Sequence, residues 1–224
     1  MSAVKFFGVV ALLGRFPALT GIDLTVEVGE TVLVKGANGA GKSTLLALCA
    51  GLLSPTSGEA TVLGHNLSSE RQLVRRRVAL LGHKTGLYDD LTITENVTFW
   101  SRAIGLNPVE ADKRAHWALD RLDLEGPLAS QPVRTLSAGQ RRRASLASLV
   151  VRRPDLWLLD EPYAGLDKTG REIVDNLISD VVIAGATVII SSHQWEWTTR
   201  ISPRVLILAG GNLVGDSQEV VRDA

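Results

Sequence analysis

Nine consecutive residues constrain this chain more than any other stretch: Gly36, Ala37, Asn38, Gly39, Ala40, Gly41, Lys42, Ser43 and Thr44. They fit the spacing G-x-x-x-x-G-K-[ST]. They also stand between a short apolar run, Thr31–Lys35, and a helical pattern over residues 42–52 that closes at Ser54-Pro55. A strand that turns through glycines into a helix brings donors to an anion. The glycines let successive N–H groups curl inward, and the helix start adds about half a positive charge. Residues 36–44 are therefore predicted to cradle phosphate groups. Lys42 is placed to reach the β- and γ-phosphates of a nucleotide, and the Ser43 hydroxyl to ligate Mg²⁺. Cys49, further along the same helix, reads as a small core residue.

The rest of the chain alternates strand and helix patterns. Ile22, Leu24, Val26 and Val28 alternate with polar residues as a half-exposed strand. Residues 6–13 read as a buried strand, and further strands are predicted over 58–63, 78–81, 156–159, 187–191 and 205–208, with a helix over 168–184. Such alternation implies a mainly parallel, buried sheet. Residues 91–153 differ. They carry mostly helical patterns, broken at Asn107-Pro108, Gly126-Pro127 and Gln131-Pro132. The economical reading is one α/β domain over 1–224, with a core of 1–90 plus 154–224 and a helical subdomain of 91–153.

Two acids end an apolar strand at Leu156-Trp157-Leu158-Leu159-Asp160-Glu161. Ligands of parallel sheets sit outside the C-terminal strand edge, so Asp160 is predicted beside the phosphate loop as a Mg²⁺ ligand. Glu161 then reaches toward the γ-phosphate, where a carboxylate polarises an attacking water. His193 follows the strand at 187–191 and is placed to contact the same phosphate.

Leu136-Ser137-Ala138-Gly139-Gln140 precedes a helix predicted over about residues 141–151. Ser and Gly at a helix start again make an anion site. This segment resembles the signature of the ABC ATPases, usually L-S-G-G-Q, with alanine at one glycine position. The phosphate loop, Asp160-Glu161, a D-loop at Ala164-Gly165-Leu166-Asp167 and the switch His193 occur in the order of that family. The resemblance implies a P-loop NTPase fold of the ABC type: a mainly parallel core sheet, an N-terminal antiparallel β region and a helical signature subdomain. It implies ATP and Mg²⁺ as ligands, catalysis by Glu161, His193 and Lys42, and a second ATPase subunit, in a homodimer, whose nucleotide Ser137, Ala138, Gly139 and Gln140 serve in trans. Integral-membrane permease subunits would hold the chain at the cytoplasmic face of the cell membrane. Phe16 is a candidate to stack on adenine, with core packing as the alternative.

The family usually carries glutamine where strand 78–81 enters the helical lobe, whereas this chain reads Leu81-Gly82-His83-Lys84. By register His83 replaces it as the residue near the metal, with Lys84 the alternative. An imidazole there changes charge near neutral pH. Together with Ala138 and Gln194, this departure resembles CcmA, the ATP-binding subunit of the haem exporter of cytochrome c maturation. Exporters of drugs, lipids or polysaccharides are the nearer alternatives, and a non-transport ABC ATPase the remoter one.

Composition narrows the field. Twenty-four basic residues balance 24 acidic ones, giving no reason to expect nucleic acid as a partner. The single cysteine excludes an internal disulfide. Spanning a bilayer takes about 20 apolar residues in succession, and no run approaches that length, so membrane association requires a partner. The four histidines form no evident set for binding haem. Trp100 and Trp117 either fill the helical lobe or receive a partner helix. The runs Arg75-Arg76-Arg77 and Arg141-Arg142-Arg143 read as solvated helix faces.

Overall fold

The computed structural model describes residues 1–192 and 202–217. They divide into two compact units. The first comprises Met1–Gly82, Asp155–Glu161 and the described part of Val181–Ala224, and the second His83–Pro154 with Pro162–Asp180.

The first unit holds two sheets. One has four antiparallel strands: β1 (Ser2–Leu13), β2 (Phe16–Glu27), β4 (Ser57–Val62) and the short β5 (His65–Asn66), in the order β2-β1-β4-β5. The alternation read from residues 22, 24 and 26 holds, since all three side chains are buried while Asp23, Thr25 and Glu27 face out. It stops one step early: Val28 lies beyond the strand and is exposed. Gly29 already begins the turn, its N–H donating to the Thr187 hydroxyl at 2.9 Å.

The second sheet contains β3 (Thr31–Lys35), β6 (Val78–Leu81), β7 (Leu156–Asp160), β8 (Thr187–Ser191), β9 (Arg204–Ala209) and β10 (Asn212–Asp216), in the order β10-β9-β3-β8-β7-β6. From β9 to β6 every pairing is parallel; β10 closes one edge antiparallel. Every residue of β7 and β8 is buried, as expected of strands covered on both faces. Their near-continuous apolar runs follow from that.

Helix α1 (Lys42–Cys49) leaves β3 through the glycine loop, three residues shorter than the pattern suggested. Its Leu45, Leu46 and Leu48 join Val32 and Val34 of β3 and Phe6, Ile22 and Leu24 of the antiparallel sheet in one apolar core. Helix α2 (Arg71–Arg77) carries one buried residue, Val74. With so little apolar periodicity it left no helical signal in the sequence.

The second unit is helical. Helix α3 (Ile93–Ala103) starts at a capping box, with Thr92 accepting from the Glu95 N–H and Glu95 accepting from the Thr92 N–H. Helix α4 (Pro108–Arg121) starts where Asn107 caps it and Pro108 fills the first helical position. Helix α5 (Ala138–Val150) starts three residues earlier than expected, capped by Ser137 in a second capping box with Gln140. Helix α6 (Lys168–Ile183) follows the D-loop segment.

Two sequence readings change here. Arg142 is buried, and Arg143 donates to the Leu122 and Asp123 carbonyls at 2.6 and 2.7 Å. The second arginine run therefore serves packing as well as solvent, because α5 is enclosed by neighbours along most of its length. Trp117 is 56% exposed and fills no core. Trp100 is half-buried, with the Arg152 guanidinium 5.3 Å from its ring centre.

Candidate functional site

Parallel pairing brings the C-terminal ends of β3, β8 and β7 side by side. Register aligns Val34 with Ser191 and Ser191 with Asp160. The glycine loop leaves β3, and the two acids leave β7, so both stand at one sheet edge with β8 between them.

The loop is closely fitted. Gly41 has φ +106, and a Cβ added there would stand 2.6 Å from the Ala18 carbonyl oxygen. Only glycine meets both demands. Lys42 is 7% exposed and donates from Nζ to the Gly36 and Ala37 carbonyls at 2.8 and 3.0 Å. Its ammonium is thereby held in the mouth of the loop. No side chain caps α1 and no acid lies in its first turn, which suits the helix start to an anionic ligand. Ala37, Asn38, Gly39 and Ser43 are exposed, whereas Ala40 and Thr44 are buried.

At the end of β7, Asp160 is buried and its Oδ1 accepts a hydrogen bond from the Ser191 hydroxyl. Glu161 has a left-handed backbone, φ +48, uncommon for a residue with a side chain. Its N–H bonds to the Ser191 carbonyl at 3.0 Å and to Ser191 Oγ at 3.3 Å. The Ser192 hydroxyl donates to Glu161 Oε2 at 3.3 Å. Ser191 and Ser192 had no expected role of their own, the first being only the end of a predicted strand. The signal available was two hydroxyls ending an apolar strand next to His193.

The donor chemistry fits Mg²⁺. That ion usually takes one or two protein oxygens and completes its shell with phosphate and water. A hydroxyl at Ser43 and a carboxylate at Asp160 meet this pattern. Among the described residues no group of three or more His, Cys, Asp or Glu side chains is arranged to hold a metal by itself.

Phe16 opens β2 and is exposed. Two residues on, the Ala18 carbonyl oxygen stands 2.6 Å from the place of a Cβ on Gly41. His193 lies outside the described residues, as do Gln194, Trp195 and Trp197.

The other candidates belong to the helical unit. His83 begins it and is exposed, as is Lys84. Ser137 and Gln140 bond reciprocally at the start of α5, at 3.2 and 2.9 Å. The signature start also abuts the D-loop. A Cβ on Gly139 would stand 3.0 Å from the Gly165 carbonyl, and one on Gly165 3.3 Å from Ala138 Cβ. Asp167 accepts from the Gly170 N–H at 2.8 Å in the first turn of α6. The Tyr163 hydroxyl donates to Asp175 at 2.6 Å, and burial with that neighbouring carboxylate pushes its pKa far up.

Residues 19–164 match the family model described as ABC transporter. The daunorubicin/doxorubicin resistance ATP-binding protein DrrA of Streptomyces peucetius is 34% identical over 214 residues, covering 96% of this chain and 64% of that protein. The chain thus spans just under two thirds of DrrA. The cytochrome c biogenesis ATP-binding export protein CcmA of Hyphomonas neptunium is 38% identical over 188 residues, covering 84% of this chain and 88% of that one. A dimeric ATP-binding cassette in a post-hydrolysis state, bound to ADP and Pi, matches with TM-score 0.87 and 27% identity over 95% of this chain and 97% of its own. A match running from β2 past Glu161, with relatives alike over most of the length, places the chain in the ABC transporter ATP-binding family, whose domains bind ATP with Mg²⁺.

Proposed function

We propose that this chain is the ATP-hydrolysing subunit of an ABC transporter, coupling nucleotide-driven dimer closure to a membrane permease. The observation that carries the reading is the single sheet edge on which Lys42, Asp160 and Glu161 converge through adjacent parallel strands. In this reading residues 36–44 hold the phosphates, and Phe16 stacks on the adenine. Ser43 and Asp160 hold Mg²⁺, with His83 near it. Bound there, the ion supplies charge neutralisation for the phosphate oxygens.

Glu161 acts as general base. A water proton passes to its carboxylate as the water oxygen bonds the γ-phosphorus, and the bond to the bridging oxygen of ADP breaks. Lys42 and His193 stabilise charge on the transferred phosphoryl. Ser137, Ala138, Gly139 and Gln140 complete the nucleotide site of a second copy, as the dimeric state of the structural relative supports. The chain is then one ATPase domain, with residues 91–153 as its signature subdomain.

The permease would dock on the helical unit near residues 83–88. Tyr88 and Phe99 are exposed there and pack edge to face at 5.4 Å. The buried Asn96 fixes that segment, accepting from the Tyr88 N–H at 2.8 Å and donating to its carbonyl at 3.0 Å. None of the described helices is long and apolar enough to cross a membrane, so a permease would hold the chain at the cytoplasmic face.

For cargo, we favour haem export in cytochrome c maturation. His83, Ala138 and Gln194 resemble CcmA, and the CcmA of H. neptunium aligns over 88% of its own length. The likeness to DrrA over 96% of this chain favours a drug exporter as the second reading. Tagging the chain in its native cell and identifying the copurifying permease separates the two. A cytochrome c maturation permease, with loss of c-type cytochromes in Lys42→Ala, supports haem export. A different permease overturns it, and no permease overturns the transporter role. For the chemistry, Glu161→Gln is expected to lower turnover by roughly 10²–10⁴-fold while ATP still binds; near-normal turnover defeats the assignment.

A further inference from the structure

A general base works only when its carboxylate is aimed at the water, and Glu161 is a long, rotatable side chain. Misplacement by about 1 Å can cost roughly a hundredfold in rate. The local structure shows what aims it. The backbone of Glu161 is held left-handed, with its N–H shared between Ser191 O and Ser191 Oγ. The next residue along, Ser192, is 4% exposed and reaches two strands at once. Its N–H donates to the Val34 carbonyl of β3 at 3.2 Å, and its hydroxyl donates to Glu161 Oε2 at 3.3 Å. Val34 lies two residues before Gly36. One serine therefore ties the carboxylate just beyond β7 to the strand that carries the phosphate loop.

We propose that Ser192 is a positioning residue for ATP hydrolysis: it fixes the plane of the Glu161 carboxylate through Oε2 and so gives the second oxygen, Oε1, a set direction toward the attacking water. The inference rests on the reading of Glu161 as general base. Ser192 touches neither the water nor the nucleotide in this role. Its effect falls on the chemical step and leaves nucleotide affinity unchanged, because its hydroxyl donates to the base.

The test measures MgATP hydrolysis by the full chain assembled with its membrane partner, for Ser192→Ala, Ser192→Thr, Glu161→Gln and the Ser192→Ala/Glu161→Gln double variant. Loss of a hydrogen bond to a charged group predicts that Ser192→Ala lowers kcat roughly tenfold. KM for ATP is expected to stay within about twofold, with an unchanged melting temperature. Ser192→Thr, which keeps the hydroxyl, is expected to restore kcat. On the Glu161→Gln background Ser192→Ala is expected to cost nothing further, because the two act as one unit. Wild-type kcat in Ser192→Ala beside an inactive Glu161→Gln overturns the role of Ser192 alone. So does a full additive loss in the double variant, or a lowered melting temperature that threonine does not repair. Near-normal turnover in Glu161→Gln overturns the general-base reading and the role of Ser192 with it.

Discussion

The Ser191 hydroxyl, fully buried at the end of β8, donates to Asp160 Oδ1 at the facing register position of β7. The bond orients the candidate Mg²⁺ ligand from behind, as outer partners do in metal sites generally. Ser191→Ala removes the donor and leaves a buried carboxylate with one partner fewer. The expected outcome is a roughly 10–100-fold rise in the Mg²⁺ concentration needed for half-maximal ATP hydrolysis, read by titrating Mg²⁺ at fixed ATP. An unchanged Mg²⁺ midpoint would refute it.

Gly41 sits at positive φ with the Ala18 carbonyl against the place of a Cβ. Gly41→Ala forces the loop or β2 to move and misaligns the donors at the start of α1. ATP affinity is expected to fall by about 5–150-fold, from strain of order 1–3 kcal/mol. Equilibrium binding of a fluorescent ATP analogue checks this, with circular dichroism to show that the fold survives.

Gly165 packs against Ala138 at the start of the signature helix, again at positive φ. Gly165→Val pushes that helix start away. Because Ser137, Ala138, Gly139 and Gln140 serve the opposing nucleotide in the proposed dimer, ATP binding to the isolated chain should persist. ATP-dependent dimerisation of a Glu161→Gln background should be lost. Size-exclusion chromatography with and without ATP separates the two outcomes, and a retained dimer counts against the role.

Arg204 forms the main ion cluster of the first unit, pairing with Asp216 and with Glu30 at 3.1 Å, and donating to the Thr25 carbonyl at 2.7 Å. The hydrogen bond it donates to Asp216, and then the one to Glu30, raises its pKa despite burial, so it stays charged at any physiological pH. Removing one partner leaves a largely buried charge under-compensated. Asp216→Asn is expected to cost about 2–4 kcal/mol of stability, measured as a lowered denaturation midpoint. A shift under about 0.5 kcal/mol would place the cluster with ordinary surface pairs.

Cys49 is fully buried, and burial pushes its thiol pKa up to about 12. A raised pKa keeps the neutral thiol over the whole working pH range, and the thiolate is the nucleophile. Native chain is expected to resist a thiol reagent at pH 8 and at pH 9 alike. Full labelling should appear in denaturant. Rapid native labelling would contradict the burial.

How much of this was legible beforehand depended on the range of the forces involved. The phosphate loop was readable because its chemistry lies in nine adjacent residues. Asn107-Pro108 read only as a break in the helical pattern although Asn107 caps α4, and α5 was expected from about Arg141 although Ser137 and Gln140 cap it three residues earlier. Helix α2 gave no signal, since one buried valine makes no pattern. Arg142 misled, because a run of three arginines suggests solvent and only packing around α5 buries the middle one.

By itself the sequence determined the glycine turn ahead of α1 and the buried runs of β7 and β8, since local spacing sets turns and apolar stretches. Residues 6–13, expected as a buried strand, leave Phe7, Leu12 and Leu13 exposed. Only the tertiary structure decided that β8 lies between β3 and β7. That order sets Ser191 beside Asp160 and Ser192 beside Glu161, partners 31 residues apart in the chain. Parallel strands cannot be joined by a tight turn, so their neighbours come from distant segments. Which strands pair is settled when the helices between them pack and bury both faces of the sheet, and no local pattern carries that choice.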